Sequence, residues 1–237
     1  SDLQIAAHED VISPETLYSY CEKVRELTLK DEFLVGRVIA RPFTGSKGKF
    51  KLNNAGRKDY PVAPPSKTIL DDLNANNYNV IAIGKMNDIF SKTSINKSLK
   101  ANSNMDAINK LTNVMDKKFT GLCMVNLCDF DNLYGHLRDV EGYAKAIEEL
   151  DVEIPMILNK LEVDDLLIIT ADHGNDPTFK GNDHTRENVP LIIYSRSFKN
   201  PKRLKIQDTM AVIGATIADN FEITPPEIGT SILDELE

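Results

Sequence analysis

Short, continuously apolar segments alternate with amphipathic helical segments from about residue 67 to the end of the chain. The apolar segments are Val80–Gly84, Leu122–Leu127, Leu166–Thr170 and Val189–Tyr194. The spacing of apolar residues predicts helices over about 67–74, 105–115, 140–161 and 209–219. Strands that are apolar on both faces and separated by helices are typical of a parallel sheet covered on both sides. The sequence therefore predicts an α/β fold with a mostly parallel sheet and helices on both faces.

The first part of the chain follows a different pattern. Ser13-Pro14-Glu15 is a helix start, because Ser caps helices and Pro suits the first helical position. Residues 33–40 (FLVGRVIA) predict a strand that ends at Pro42. Residues 44–65 are rich in Gly, Lys, Asn and Pro and predict an irregular loop leading to a linker. We therefore expect a smaller α/β domain over residues 1–63 and a larger domain over residues 64–237.

Composition limits the classes of partner. The net charge is −8 and the pI is about 5.1, which argues against binding to a nucleic-acid backbone. No apolar run approaches the roughly 20 residues of a membrane-spanning helix, and the N-terminus lacks a signal-peptide pattern. The three cysteines are irregularly spaced and predict no disulfide framework. We expect a cytoplasmic protein that acts on a small molecule.

Three of the four histidines lie just beyond apolar strands. His136 ends the sequence DFDNLYGH, His173 lies in TADHGND, and His184 follows in DHTR. Ligands of open α/β sheets collect at the carboxyl ends of the strands. Imidazole and carboxylate groups together suit Zn, Mn or Fe, and the absence of Cys from these motifs argues against a structural zinc site. The pattern predicts a metal centre.

A simpler interpretation of the same motifs is a set of turns. An Asp-His pair followed by Gly forms turns readily, since Asp bonds nearby backbone groups and Gly accepts positive φ. Two clusters of acid and histidine at strand ends, with a further histidine after the second, fit independent turns poorly. For Asp129 alone, we expect a structural role, or support of a ligand side chain, rather than metal ligation.

Longer motifs add a resemblance to a known family. The run TADHGNDPTFKGNDHTRENVPLIIYS resembles the metal-binding region of the alkaline phosphatase superfamily. Together with VNLCDFDNLYGHLRD, QIAAHE, VGRVIARPF and VIAIGKMNDIF, the chain is similar to the phosphopentomutases over essentially its whole length. That resemblance implies an alkaline-phosphatase-like core, part of a cap domain, and an isomerase that moves a phosphoryl group between O1 and O5 of ribose or deoxyribose.

The resemblance also implies ligands for two Mn²⁺ ions, with Zn²⁺ or another divalent metal as an alternative. One ion would be held by Asp131, His136 and His184. The other would be held by Asp172, His173 and an aspartate of the family's first core strand. Arg37, Ile39 and Lys85 match positions near the pentose phosphate, with Arg37 and Lys85 suited to its 5-phosphate.

The chain departs from the family in one respect. The N-terminal strand with its metal-binding aspartate and the segment with the phosphorylated threonine have no counterpart, so no catalytic nucleophile is assigned. We expect that this missing segment is needed for a full site and that the chain alone is inactive. Alternatives are another metal-dependent superfamily member, such as a phosphoglycerate mutase or a phosphohydrolase, or a catalytically silent metal-binding fragment.

Overall fold

The computed structural model describes residues 2–236, apart from the side chain of Asp31, and divides into two compact units. The first unit contains the described residues up to Ser66 together with Asp88–Lys92. The second contains Lys67–Asn87 and the described residues from Thr93 onward. The predicted boundary at residues 63 and 64 lies close to this division, and the assignment of the first unit as a cap domain remains a prediction. In the described part of the chain, no helix has the length and apolar character needed to cross a bilayer.

The first unit is a four-stranded mixed sheet with one long helix on one face. Its elements are β1 (Asp2–His8), α1 (Pro14–Leu27), β2 (Arg37–Thr44), β3 (Lys51–Leu52) and β4 (Lys58–Pro61). β1 runs parallel to β2, whereas β3 and β4 run antiparallel to it. As predicted, α1 begins at Pro14, and the Ser13 side chain accepts a hydrogen bond from the backbone of Thr16 at 3.3 Å. The buried core of the unit consists of Ala7, Leu17, Cys21, Val38 and Ala40.

Two expectations for this unit are wrong. The strand begins at Arg37 rather than Phe33, because Asp31–Phe33 forms a 3-10 turn, and it continues through Pro42. The fixed φ of proline is compatible with extended backbone, and the Pro42 carbonyl still accepts a hydrogen bond from Asn53 at 2.9 Å.

The segment 44–65 is not wholly irregular, because it contains β3 and β4. Both are short and carry lysine, as sheet-edge strands often do, and so show little apolar alternation. β1 was not predicted either. Most of its residues are exposed, so it also shows little apolar alternation.

The second unit is built on a parallel sheet. From residue 67 onward the α-helices are α2 (Ile69–Ala75), α3 (Met86–Ile89), α4 (Asn104–Met115), α5 (Val140–Lys160) and α6 (Ala211–Asn220). The last two residues of α3 belong to the first unit. The strands are β5 (Asn79–Ile83), β6 (Lys97–Leu99), β7 (Gly121–Val125), β8 (Leu167–Thr170) and β9 (Leu191–Tyr194). β6, β5 and β7 form a three-stranded parallel sheet in that order.

Helices cover this sheet and fix its core. Ile81 and Ile83 of β5 pack with Ala107 and Val114 of α4 in one buried cluster. The alternate β5 side chains point to the opposite face, where α2 contacts the strand and α6 contacts α2. This arrangement confirms the α/β class predicted from the alternating pattern.

The expectation that the last two strands join the same parallel sheet is wrong. β8 and β9 pair with each other in antiparallel register, from Leu167 opposite Tyr194 to Thr170 opposite Leu191. In the described residues, no ladder links this pair to β5–β7. Parallel neighbours need a long crossover, usually a helix, whereas antiparallel neighbours need only a return of the chain. The polar connection between β8 and β9 contains no helix, so the antiparallel pair is the natural outcome.

Candidate metal centre

A π-helix follows β7 and sets the first part of the site. It spans Phe130–Gly135, and the backbone N–H of His136 donates to the Asp131 carbonyl at 2.9 Å. This bond joins residues five apart, so Asp131 and His136 lie on the same side of the wide turn. Nε2 of His136 is 3.4 Å from Oδ2 of Asp131. Sequence reasoning missed the π-helix, and the five-residue spacing of the two side chains was its only signal.

The loop after β8 supplies the second part. A β-bridge pairs Gly174 with Thr185, and Thr185 N donates to the Gly174 carbonyl at 3.0 Å. The bridge draws together the segments that carry His173 and His184, whose rings stack with centroids 3.7 Å apart. The His184 ring also stacks on His136 at 4.9 Å. His184 therefore stacks with both other imidazoles of the site.

Three of the predicted ligands form a compact donor group. One ligand atom each from Asp131, His173 and His184 lies within 4.8 Å of the others. His136 lies outside this group, beside Asp131. Asp172 lies at the edge, with Oδ2 3.7 Å from Nε2 of His173 and a largely exposed side chain.

The five predicted ligands thus lie in one region of the second unit. The structure groups His173 with Asp131 and His184, whereas the resemblance assigns His173 to the other ion. Ions of two-metal sites lie only about 3.5–4 Å apart, so ligands of different ions are close neighbours. The division of the ligands between two ions remains a prediction.

The histidine contacts fit metal ligation. Nδ1 of His136 is 2.5 Å from the Asn182 carbonyl, and Nδ1 of His173 is 3.2 Å from the Gly174 carbonyl. Because a carbonyl only accepts, both contacts place a hydrogen on Nδ1, which makes Nε2 the nitrogen that a metal ion would bind. Partial burial, followed by the neighbouring His173, lowers the pKa of His184 despite the opposing effect of Asp131. A lowered pKa favours neutral imidazole, the form that binds metal. The donors therefore fit Mn or Zn.

Asn175 is a part of the site that sequence reasoning did not identify. It is 9% exposed, and its Nδ2 donates to Oδ1 of Asp131 at 2.6 Å. Gly135 makes this approach possible, because a Cβ at that position would overlap the Asn175 side chain. The only signal in the sequence was the position of Asn175 within the DHGND motif.

Asp129 has a structural role in the described contacts. Its Oδ2 accepts from the Asn104 backbone N–H at 2.7 Å, and its own N–H donates to Oδ1 of Asn104 at 3.0 Å. These reciprocal bonds fix the start of α4 to the start of the π-helix. These bonds agree with a structural role, and the absence of metal ligation by Asp129 stays a prediction.

A comparison with known protein families identifies the superfamily of this chain. The family model of the metalloenzyme superfamily matches residues 55–225. This protein is a member of the metalloenzyme superfamily. The match includes all five predicted metal ligands and Lys85, but it excludes Arg37 and Ile39. Superfamily membership indicates metal-dependent phosphoryl-transfer chemistry of the alkaline phosphatase type.

The substrate residues predicted from the resemblance occupy different surroundings. Lys85 belongs to the second unit, and its Nζ is 3.3 Å from Oδ1 of Asn132, next to the predicted ligand Asp131. Arg37 belongs to the first unit, where it forms ion pairs with Asp2 at 2.7 Å and Asp59 at 3.4 Å. Its hydrogen bond to Asp2 raises the pKa of Arg37 and lowers the pKa of Asp2. Ile39 is buried, with 1% of its surface exposed.

A large cavity of the second unit lies apart from the predicted metal ligands. It has a volume of about 880 Å³ and is lined by β9, the start of α6 and the chain between them. It reaches Thr170 and Glu187 but none of the five predicted ligands.

Proposed function

We propose that this metalloenzyme-superfamily chain carries the metal-binding part of a phosphopentomutase. The reaction would interconvert α-D-ribose 1-phosphate and ribose 5-phosphate, or the deoxyribose equivalents, through a phosphoenzyme. The observation that carries the proposal is the convergence of Asp131, His173 and His184 within motifs that resemble that family. Divalent ions, when bound there, would neutralise the phosphate and orient it for in-line displacement.

The residues of the chain have separate tasks in this proposal. The Asp131 carboxylate, His184 and the Nε2 atoms of His136 and His173 would hold the ions. The Nδ1–H bonds of His136 and His173 would fix the orientations of their rings. Lys85 lies against the segment that carries Asp131, and would supply a point charge for the distal phosphate. No proton transfer is assigned to these histidines.

Arg37 and Ile39 remain proposed substrate contacts on the resemblance alone. The Arg37 guanidinium already binds two carboxylates, so a phosphate would have to share or displace one of them. Ile39, which is buried, would need a local opening to touch a sugar. Lys85 is therefore the best-supported substrate residue of the three.

The nucleophile is the remaining part of the proposal. The resemblance places the phosphorylated threonine and one aspartate ligand in a segment without counterpart here. We propose that turnover requires that segment in addition to the residues described above.

An assay for ribose 5-phosphate formation from ribose 1-phosphate with Mn²⁺ tests the function. It compares the chain alone with a polypeptide in which a phosphopentomutase N-terminal segment precedes it. Turnover is expected only from the longer polypeptide, with loss of activity on His184→Ala and a raised KM on Lys85→Met. Release of inorganic phosphate without sugar isomerisation would instead identify a phosphohydrolase.

A further inference from the structure

Arg138 makes an unusual set of contacts in the metal centre. It follows the π-helix and has a φ of 57°, in the left-handed region that side chains with a Cβ disfavour. Its guanidinium carries no short ion pair to a carboxylate among the described contacts and instead donates to neutral oxygens. The acceptors are the carbonyls of Gly135, Asp176, Gly181 and Asp183 and Oδ1 of Asn175.

These acceptors belong to three different ligand-bearing segments. The bond to Gly135, at 2.9 Å, reaches the π-helix of Asp131 and His136. The bond to Asp176, also at 2.9 Å, reaches the segment that follows Asp172 and His173. The bond to Asp183, at 2.6 Å, reaches the residue immediately before His184. One side chain therefore joins every segment that supplies a predicted metal ligand.

A second line of contacts runs from Arg138 to a ligand. Nη1 of Arg138 donates to Oδ1 of Asn175 at 2.7 Å, and Nδ2 of Asn175 donates to Oδ1 of Asp131 at 2.6 Å. The first bond fixes which end of the amide faces Asp131, since an accepting oxygen toward Arg138 leaves the donating nitrogen toward the carboxylate. Arg138 thus orients the carboxylate through Asn175.

Together these contacts lead to one inference. We propose that Arg138 is a positioning residue of the metal centre. It holds the three ligand-bearing segments in fixed positions relative to one another and orients Asp131 through Asn175. Only arginine offers five N–H donors in a planar fork, so lysine cannot reproduce the contacts. The inference rests on the metal centre of the proposed function and does not depend on the sugar substrate.

The affinity of the chain for metal measures the positioning role of Arg138 directly. Titration of the metal-free 237-residue chain with Mn²⁺ or Zn²⁺ compares the parent with Arg138→Lys and Arg138→Ala. Loss of partners that orient metal ligands typically costs 10–100-fold in affinity, so we expect a fall of about that size in both variants. Arg196→Ala is the matched control, because Arg196 also donates to a carbonyl, that of Asn159 at 3.1 Å, outside the ligand segments. The control is expected to bind metal like the parent.

Two further measurements separate positioning from a general loss of folding. Millimolar guanidinium ion should restore part of the metal affinity of Arg138→Ala, which a disordered loop would not allow. Asn175→Ala should weaken binding, and its effect should be less than additive with Arg138→Ala because the two residues act through one chain of contacts. If Arg138→Ala does not fold, Arg138→Lys and the Asn175 variant carry the test.

The positioning role of Arg138 and the metal centre itself would be overturned by different results. Parent-like affinity in Arg138→Lys, or equal losses in the Arg138 and Arg196 variants, would overturn the positioning role while leaving the metal centre intact. A parent chain that binds no divalent metal would overturn the metal centre and, with it, this role.

Discussion

At the residue scale, the contacts of the metal centre converge on Asp131. Its two oxygens lie 3.3 Å from Nε2 of His184 and 3.4 Å from Nε2 of His136, and Asn175 donates to it at 2.6 Å. The sequence identified Asp131 and the histidines because imidazole and carboxylate after apolar strands are chemically distinctive. It did not identify Asn175 or Arg138, since an amide or guanidinium becomes part of a site only through the conformation of distant loops.

Asp71 gives a prediction at the same scale. Its carboxylate accepts from the backbone N–H of Thr68 at 2.7 Å, at the start of α2, and from the hydroxyl of Ser94 at 2.5 Å. Partial burial opposes ionisation, but these hydrogen bonds outweigh it and lower the pKa of Asp71. Asp71→Asn should reduce the free energy of unfolding by about 1 kcal/mol at pH 7, the usual cost of a lost helix cap.

The pH dependence follows from the direction of that shift. A lowered folded-state pKa stabilises the protein above the unfolded value, which is about 3.9 for Asp, and the effect is lost as pH falls through the folded value. The difference between parent and Asp71→Asn should therefore shrink below about pH 4 in urea unfolding. Asp164→Asn, at an exposed turn position, is the control. A difference that grows on acidification would contradict this account of Asp71.

At the scale of elements, the π-helix and the β8–β9 pair show where sequence reasoning succeeds and fails. Most helices and strands of the second unit appeared within a few residues of their predicted positions, because their apolar spacing is strong. The π-helix has no such spacing of its own, and strand direction depends on the connection rather than on the strand. The ligand residues were therefore predictable, whereas the turn that orients them was not.

The substitution Gly135→Ala tests the role of the π-helix. A Cβ at Gly135 would overlap the Asn175 side chain and crowd the Phe130 carbonyl, so Gly135→Ala must displace Asn175 from Asp131. We expect a loss of about 1–3 kcal/mol in the free energy of unfolding, typical of overpacking, together with weaker Mn²⁺ binding. The two effects are measured by chemical denaturation of the metal-free chain and by calorimetric titration.

Gly214→Ala provides the matched control for that substitution. Gly214 lies in α6, where an added Cβ meets only Ile69 at 4.0 Å. Alanine is favoured over glycine within helices by up to about 1 kcal/mol, so this variant should be neutral or slightly stabilised, with unchanged metal affinity. Equal destabilisation by the two substitutions would mean that Gly135 has no special role in the site.

At the scale of the whole molecule, all predicted metal ligands belong to the second unit, which also contains Lys85. The metalloenzyme-superfamily match begins within the first unit and covers the predicted metal ligands. Metal binding is therefore a property that the second unit can be tested for directly, whereas sugar specificity depends on residues whose roles rest on the resemblance. The account as a whole depends on an ion occupying the donor group of Asp131, His173 and His184.

The most direct measurement is an anomalous difference map from crystals of the chain grown with Mn²⁺. The account predicts a strong peak at roughly 2.0–2.3 Å from an oxygen of Asp131 and from ring nitrogens of His173 and His184, with His136 close enough to ligate after a small shift. A second peak near Asp172 is expected to be weaker, because the chain offers fewer ligands there than the three of the donor group to offset the desolvation of an ion. A map with no peak among Asp131, His173 and His184, at an Mn²⁺ concentration that gives peaks elsewhere, would contradict the central claim.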